Sequence, residues 1–385
     1  MAEKVIVAMS GGVDSSVAAA LLQQQGYEVE GVFMKNWTPL NAQSLTDCPW
    51  ERDQADAALV CAHLSIPFRS INFEAEYKEK VVDYLLREYA AGRTPNPDIM
   101  CNKEIKFTAF LAAARKLGAD KIATGHYARW DGANLMRGVD PGKDQSYFLY
   151  TLTDEQLAPV LLPVGEFQKK KVREMAEAFG LPTSKKKDSQ GICFIGHLDI
   201  KEFLQDEIGR TPGPLFLLPP YVQGVTLEER QWQAKPVGDH TGMAFHTIGE
   251  KMGHYLDNRL YRNIRGETQV PSTFVISKDA PHNRVYIVDR HDDPHLFTTI
   301  LQVSDVIMTG KKDEVSSVDI LLQKKGLTCQ SRYQQLPVRV ERIEKTDQGI
   351  IVYLEEPVWA AAVGQSAVIY SENICVGGGI ICATS

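Results

Sequence analysis

Lys4-Val5-Ile6-Val7-Ala8-Met9-Ser10-Gly11-Gly12-Val13-Asp14-Ser15-Ser16 joins a short β-branched run to an Ala- and Leu-rich stretch of helix formers at 15–25. The glycines let the backbone approach a ligand and take conformations closed to other residues, and the start of the helix presents free N–H groups and a positive dipole end. An anion belongs there. The segment is not a Walker loop, because no Gly-Lys-Ser/Thr follows, and it is not the dinucleotide Gly-x-Gly-x-x-Gly. A bare Gly-Gly reads equally well as a tight turn with serine caps. Strand, Ser-Gly-Gly-Val-Asp-Ser and helix in that order are far more specific.

Outward from this loop the pattern alternates: strand at 28–34, helix at 52–63, strand at 68–73, helices at 76–90 and 104–117, strand at 121–124. Alternation at these lengths predicts an α/β domain, a parallel sheet with helices on both faces. Between Ala91 and Asn102 the two prolines of Gly92-Arg93-Thr94-Pro95-Asn96-Pro97-Asp98 predict a loop, placed before a helix. Beyond Phe203, Thr211-Pro212-Gly213-Pro214 and Pro219-Pro220 break the chain into short pieces. From about Phe297, alternating stretches at 338–343, 350–354, 366–370 and 374–376 predict a small β-barrel or sandwich. The expected domains are therefore 1–205, 206–294 and 295–385.

Composition sets limits on function. With 385 residues, 44% hydrophobic and 24% charged, the chain is neither disordered nor fibrous. No apolar run approaches the roughly 18–20 residues of a membrane span, and the N-terminus lacks a signal-peptide pattern, so a cytoplasmic protein with no membrane partner is expected. The seven cysteines, at 48, 61, 101, 193, 329, 375 and 382, are odd in number and include no Cys-x-x-Cys, which speaks against a disulfide scaffold or a zinc ribbon; no protein metal ligands are expected. A net charge of −7 argues against indiscriminate nucleic-acid binding. Between 169 and 187, however, Lys169, Lys170, Lys171, Arg173, Lys185, Lys186 and Lys187 face two acids, Glu174 and Glu177, a local balance of +5. Such runs are usually solvated helix faces; just upstream of Cys193, this one also suits RNA placed for modification.

The loop at Ser10–Ser15 resembles the PP-loop of the ATP pyrophosphatase superfamily, whose members bind ATP and adenylate a carbonyl oxygen. Further matches narrow the resemblance: Gly31-Val32-Phe33-Met34-Lys35-Asn36-Trp37, GRTPNPDIMCNKEIKF from Gly92, Ala123-Thr124-Gly125-His126-Tyr127-Ala128-Arg129, Lys143-Asp144-Gln145-Ser146 and Ser189-Gln190-Gly191-Ile192-Cys193-Phe194-Ile195-Gly196. With Arg332-Tyr333 and Gly364-Gln365-Ser366-Ala367-Val368, they make nearly the whole chain similar to the bacterial tRNA-specific 2-thiouridylase family.

That resemblance implies a PP-loop catalytic domain, a small central tRNA-contacting domain and a C-terminal barrel that holds the anticodon arm. It implies adenylation of the C2 oxygen of a wobble uridine and its replacement by persulfide sulfur, with AMP and pyrophosphate released. ATP would be held by Ala8, Met9, Ser10, Gly11, Gly12, Val13, Asp14 and Ser15, with Met34 and Gly125 on the adenine and ribose side; Asp14 would help place Mg²⁺. Cys193 would carry the persulfide and Cys101 would be its partner, the two closing a transient disulfide, with Asp98 as general base. Asn96, Pro97 and Asp98 would meet the target base, and His126, Lys143, Asp144, Gln145, Arg332, Tyr333 and Gln365 the rest of the tRNA. The implied partners are tRNAs with Lys, Glu and Gln type anticodons and a sulfur donor, either a cysteine desulfurase or a relay protein.

Lys103 and Lys106 beside Cys101, and 185–187 before Cys193, are cations of the kind that favour a thiolate. The other five cysteines read as small buried hydrophobes. One segment departs from the family: where Gln-Arg is usual, this chain has Glu250-Lys251, which changes a contact's sign and loses a bidentate guanidinium. Two other functions fit the same loop. An amide- or amidine-forming ligase would need no cysteine pair, and a nucleotide-regulated RNA-binding protein would bind tRNA without releasing AMP.

Overall fold

The structure is a computed structural model and describes residues 2–38, 49–187, 200–309, 321–322 and 324–384. Strand β1 (Lys4–Met9) lies at the centre of a five-stranded parallel sheet, between β2 (Glu28–Lys35) and β4 (Lys121–Ala123), with β3 (Phe68–Asn72) and β7 (Val160–Leu161) at the edges. Past Lys4 the strand β1 carries only apolar residues, because both of its faces are covered. Val5, Val7 and Met9 pack with helix α1 (Val13–Gln24), while Ile6 and Ala8 pack with the opposite layer, which holds Tyr77, Ile105 and Phe110. Each fully buried aliphatic side chain contributes about 1.5–3 kcal/mol. Helix α1 carries Ala18, Ala19 and Ala20, good helix formers small enough to lie close to the sheet.

The proline-rich stretch differs from its expectation. Pro97–Met100 is already helical and runs without a break into a π-helical segment, Cys101–Ala109, and on to Lys116. Pro97 occupies the first turn, where its missing N–H costs nothing, and Asn96 caps that turn by accepting from the N–H groups of Asp98 (3.1 Å) and Ile99 (3.3 Å). Cys101 is thus a helical residue, one turn in from a capped end, and not a loop residue.

A second sheet of four strands, β8 (Gly213–Leu217), β9 (Lys235–His240), β10 (Phe274–Asp279) and β11 (Arg284–Val288), follows in the order β10-β11-β8-β9. Its polar anchor is Arg230, 1% exposed, whose guanidinium donates to both carboxylate oxygens of Asp293 (2.9 and 2.7 Å) and to the carbonyl of Pro219.

The C-terminal part closes into a barrel. Strands β12 (Phe297–Met308), β15 (Gly349–Trp359), β14 (Val338–Thr346), β13 (Leu327–Gln330), β16 (Ser366–Ser371) and β17 (Ile374–Thr384) pair in that order, and β17 pairs back onto β12. A hairpin from the N-terminal half, β5 (Ala128–Trp130) and β6 (Leu135–Arg137), joins this sheet through Met136 opposite Ile374. No helix among the described residues is long and apolar enough to cross a membrane.

His240, 1% exposed in the second sheet, gives a pH test of the fold. Burial and the neighbouring His246 push its imidazole down to about 4 from an ordinary value of 6.5, against a contact with the Asn283 carbonyl that favours the charged form. Between those values the unfolded chain binds a proton that the folded chain refuses, so stability falls as the pH drops through the window. The expected loss is about 1.4 kcal/mol per pH unit from this group. His240→Gln should flatten the fall in melting temperature between about pH 6.5 and about pH 4; an unchanged slope would remove His240 from the account.

Candidate active site

Helix α1 begins at Gly12 with no side chain capping its first turn, so its N–H groups stay available to an anion. The loop is tightly built. Gly11 has φ +71°, and a Cβ there would lie 2.2 Å from the Asp53 carbonyl oxygen; Ser10 N–H donates to Ser15 Oγ (3.2 Å), and Ser16 Oγ donates to the Gly12 carbonyl (2.7 Å). From the β4 side Gly125 presses close, and a Cβ there would stand 2.6 Å from the Ser15 nitrogen.

Two lysines of the basic run turn inward to this loop. Lys169 donates to both oxygens of Asp14 (2.7 and 2.8 Å), and Tyr127 Oη donates to Oδ1 (2.7 Å). Lys186 donates to the Gly11 carbonyl (3.0 Å), Asp53 (2.8 Å) and Asp56 (2.5 Å). The +5 stretch is therefore partly spent on the phosphate loop. The sequence alone offered no signal for this, since it shows neither the ion pairs nor the acids on α2 (Pro49–His63) that supply them.

Cys101 is completely buried and shares a packed cluster with Ala8, Met34, Trp37, Ile99 and Phe203. Ala8 is in β1 and Met34 in β2, so the thiol belongs to the same continuous core layer that backs the sheet on that face. One π turn further on, Lys106 is also buried and contacts His126 Nε2 at 3.3 Å, while His126 Nδ1 meets Thr124 Oγ1 at 2.7 Å. Burial, and then the charge of Lys106, holds His126 well below its ordinary range, so the ring is neutral: Nε2 accepts from Lys106 and Nδ1–H donates to Thr124. Cys193, with the rest of 188–199, and Cys48 lie outside the described residues. The described neighbours of that stretch reach the site from both sides, Lys186 at Gly11 and Phe203 edge-on to Trp37 with ring centroids 6.0 Å apart.

The residues assigned to tRNA fall into two groups. Asp98 is half-buried, and it, Lys143 and Asp144 all act electrostatically on the Tyr333 hydroxyl, which burial raises. Tyr333 packs on Phe148 with centroids 4.4 Å apart, Arg332 is half-buried with its pKa lowered by desolvation, and Asn96 and Pro97 form the capped turn. These lie around Cys101's helix end. The second group is engaged in holding the protein together. Asp144 accepts from Arg137 (2.8 Å), Gly138 N–H (3.0 Å) and Ser146 N–H and Oγ (3.1 and 3.0 Å). Gln145 accepts from Tyr127 N–H (2.9 Å), and Gln365 of the barrel donates to the carbonyls of Thr94 (2.8 Å) and Pro95 (3.3 Å).

Glu250, the departure from the family pattern, is well provided for. It accepts from Lys201, from the His246 ring (3.1 Å) and from Thr247 N–H (3.0 Å). Burial pushes its carboxyl up, and the His246 and Lys201 contacts outweigh that and hold it below the usual range. The carboxylate thus finds a cation on the helix Ile200–Ile208.

Residues 3–197 match the family model described as a tRNA methyl transferase HUP domain, and 301–381 match an aminomethyltransferase β-barrel domain. The chain is 44% identical over 384 residues to the tRNA-specific 2-thiouridylase MnmA of Pectobacterium carotovorum subsp. carotovorum (strain PC1), covering 98% of this chain and 97% of that one. It is likewise 44% identical over 387 residues to the protein of that name from Escherichia coli (strain K12), covering 99% and 97%. Among solved structures, an NMN synthetase from Francisella tularensis aligns with 54% of this chain and 73% of its own at 20% identity and a TM-score of 0.32, too slight a likeness to carry an argument. Identity of this extent runs through the phosphate loop, the Cys101 helix and the barrel alike, and by it the chain belongs to the tRNA-specific 2-thiouridylase family.

Proposed function

We propose that the protein is an ATP-dependent sulfurtransferase that converts the wobble uridine of tRNA to 2-thiouridine. The observation that supports this reading is an uncapped, glycine-tight phosphate loop at the end of β1 in a chain whose Cys101 is buried in the core layer backing the same sheet. The C2 oxygen of uridine is a poor leaving group; transfer of AMP from ATP to that oxygen, with pyrophosphate released, turns it into a good one. The terminal sulfur of a Cys193 persulfide then bonds to C2 as the C2–O bond breaks, and AMP leaves with that electron pair. Cys101, deprotonated with Asp98 as base, attacks the Cys193 sulfur; the S–S bond to the transferred sulfur breaks, leaving thiouridine and a Cys101–Cys193 disulfide. A thiol reductant must reopen that disulfide before the next turnover.

Asp14 provides the hard oxygen donor that a phosphate-borne magnesium ion accepts, and it would exchange Lys169 for the ion. Magnesium there supplies neutralisation of the phosphate charge, while Lys169 and Lys186 stand beside the loop as further cations. The proposed partners are tRNAs of the Lys, Glu and Gln type and a desulfurase or relay protein as sulfur donor. The barrel and the second sheet are proposed to hold the anticodon arm.

A single-turnover reaction with ATP, magnesium, a persulfide donor and unmodified tRNA tests the reading, with nucleosides measured by mass spectrometry. Thiouridine formed in step with AMP is the expected result. AMP released with no sulfur incorporated would favour a ligase of the same superfamily; tRNA binding with no AMP would favour a regulated binding protein.

A further inference from the structure

Asn36 follows β2 directly and is 1% exposed. Neither its Nδ2 nor its Oδ1 has a hydrogen-bond partner among the described residues. A buried carboxamide with both ends unsatisfied is rare in folded proteins and asks for an explanation, because each orphaned group forfeits the hydrogen bonds it had with water. Asn36 is not needed to end the strand, which stops at Lys35, nor to cap a helix, since the next described one begins at Pro49.

Its place in the sheet supplies the explanation. Met9 of β1 pairs with Phe33 of β2, so Asn36, just past the end of β2, lies beyond the carboxyl end of the strand next to the one from which the phosphate loop departs. Asn36 therefore stands one strand away from the loop, in the crevice outside the carboxyl ends where open parallel sheets bind ligands. On the other side of β1, Gly125 lies close against the Ser15 and Asp14 backbone. A nucleotide whose phosphates sit on α1 has its base free to extend over β2. Adenine offers a donor and an acceptor side by side at N6 and N7, and an Asn carboxamide matches that pair with two hydrogen bonds; guanine offers two acceptors there and can satisfy one end of the amide at most.

We propose that Asn36 reads the adenine edge of ATP and sets the preference for ATP over GTP. This rests on the ATP-binding reading of the loop. The test is equilibrium binding of ATP and of GTP to the full-length wild-type protein and to Asn36→Leu and Asn36→Asp, with melting temperatures measured without nucleotide. Leucine has nearly the same volume and removes the orphaned groups, so Asn36→Leu should melt no lower than wild type. It should bind ATP about 10- to 100-fold more weakly, with a much smaller change for GTP, so the ATP/GTP ratio collapses. Asn36→Asp, which keeps the acceptor and loses the donor, should also weaken ATP binding. If Asn36→Leu melts higher and keeps both the ATP affinity and the ratio, the amide is a packing defect and the proposal is overturned. It is overturned equally if ATP binding is unchanged and thiolation of saturating tRNA fails, because the amide then reads the target base. Wild-type protein that binds no ATP would refute the underlying reading instead.

Discussion

Cys101→Ala should lower thiouridine formation by about 10³-fold or more while ATP-dependent AMP transfer continues. The prediction separates two roles that burial alone leaves together. Cys101 is fully buried among Ile99, Ile105 and Phe107, and a thiol in such a place is ordinarily a small hydrophobe. In that role alanine is a mild replacement that costs about 1 kcal/mol of stability and nothing in activity. In the proposed mechanism the missing thiolate leaves the tRNA joined through C2 and two sulfurs to Cys193. A covalent protein–tRNA species should then accumulate on a non-reducing gel, and a thiol reductant should release thiolated tRNA from it. Wild-type thiolation by Cys101→Ala would return the residue to packing. Full burial also means that tRNA must shift the capped turn at Pro97–Met100 before sulfur can pass, and the π geometry just beyond it is a place where helices commonly yield.

Gly125→Ala should weaken ATP binding about 100-fold and lower the melting temperature as well. Its Cβ would lie 2.6 Å from the Ser15 nitrogen and 2.8 Å from the Asp14 carbonyl carbon, and both are backbone atoms that cannot rotate away. Relief requires the first turn of α1 to move, and the N–H groups of that turn are the proposed phosphate donors. Gly253→Ala is the matched control, because a Cβ there meets nothing within 4 Å. Isothermal titration of both variants with ATP checks the prediction; equal affinities would mean that the loop adapts or that the nucleotide binds elsewhere.

The central parallel sheet was legible because β1 is apolar on both faces and runs straight into Ser10-Gly11-Gly12, a local pattern with few other uses. Cys101 was legible as a candidate through its flanking motif, but its backbone was not. Two prolines in four residues read as a break, whereas Pro97 serves as a helix start, a role decided by Asn96 turning back onto the N–H groups of Asp98 and Ile99. The basic run showed its charge and concealed its direction: Lys169 and Lys186 are held by Asp14, Asp53 and Asp56, which lie more than a hundred residues away in sequence. Asp144 and Gln365 carried a binding signal in their motifs, and the structure has both of them making internal hydrogen bonds across long sequence separations. Asn36 has no signal of its own in the sequence, because an unsatisfied amide becomes visible once burial and partners are known.

The hairpin β5–β6 bears on how the molecule divides. It is contributed by the ATP-binding half yet extends the barrel's sheet, and behind it Arg137 stacks on Tyr370 at 3.5 Å while Tyr147 and Tyr150 hydrogen-bond to Ser366. A barrel cut out at the start of β12 would lose those partners, leave Ile374 at the start of β17 without its bridge to Met136, and expose the buried hydroxyls of Ser366 and Tyr370. The seam between catalytic half and barrel is thus a shared sheet, not a tether. Exchange of the barrel for another module would have to carry residues 128–150 with it, so the barrel and the phosphate-loop half are joined as one piece.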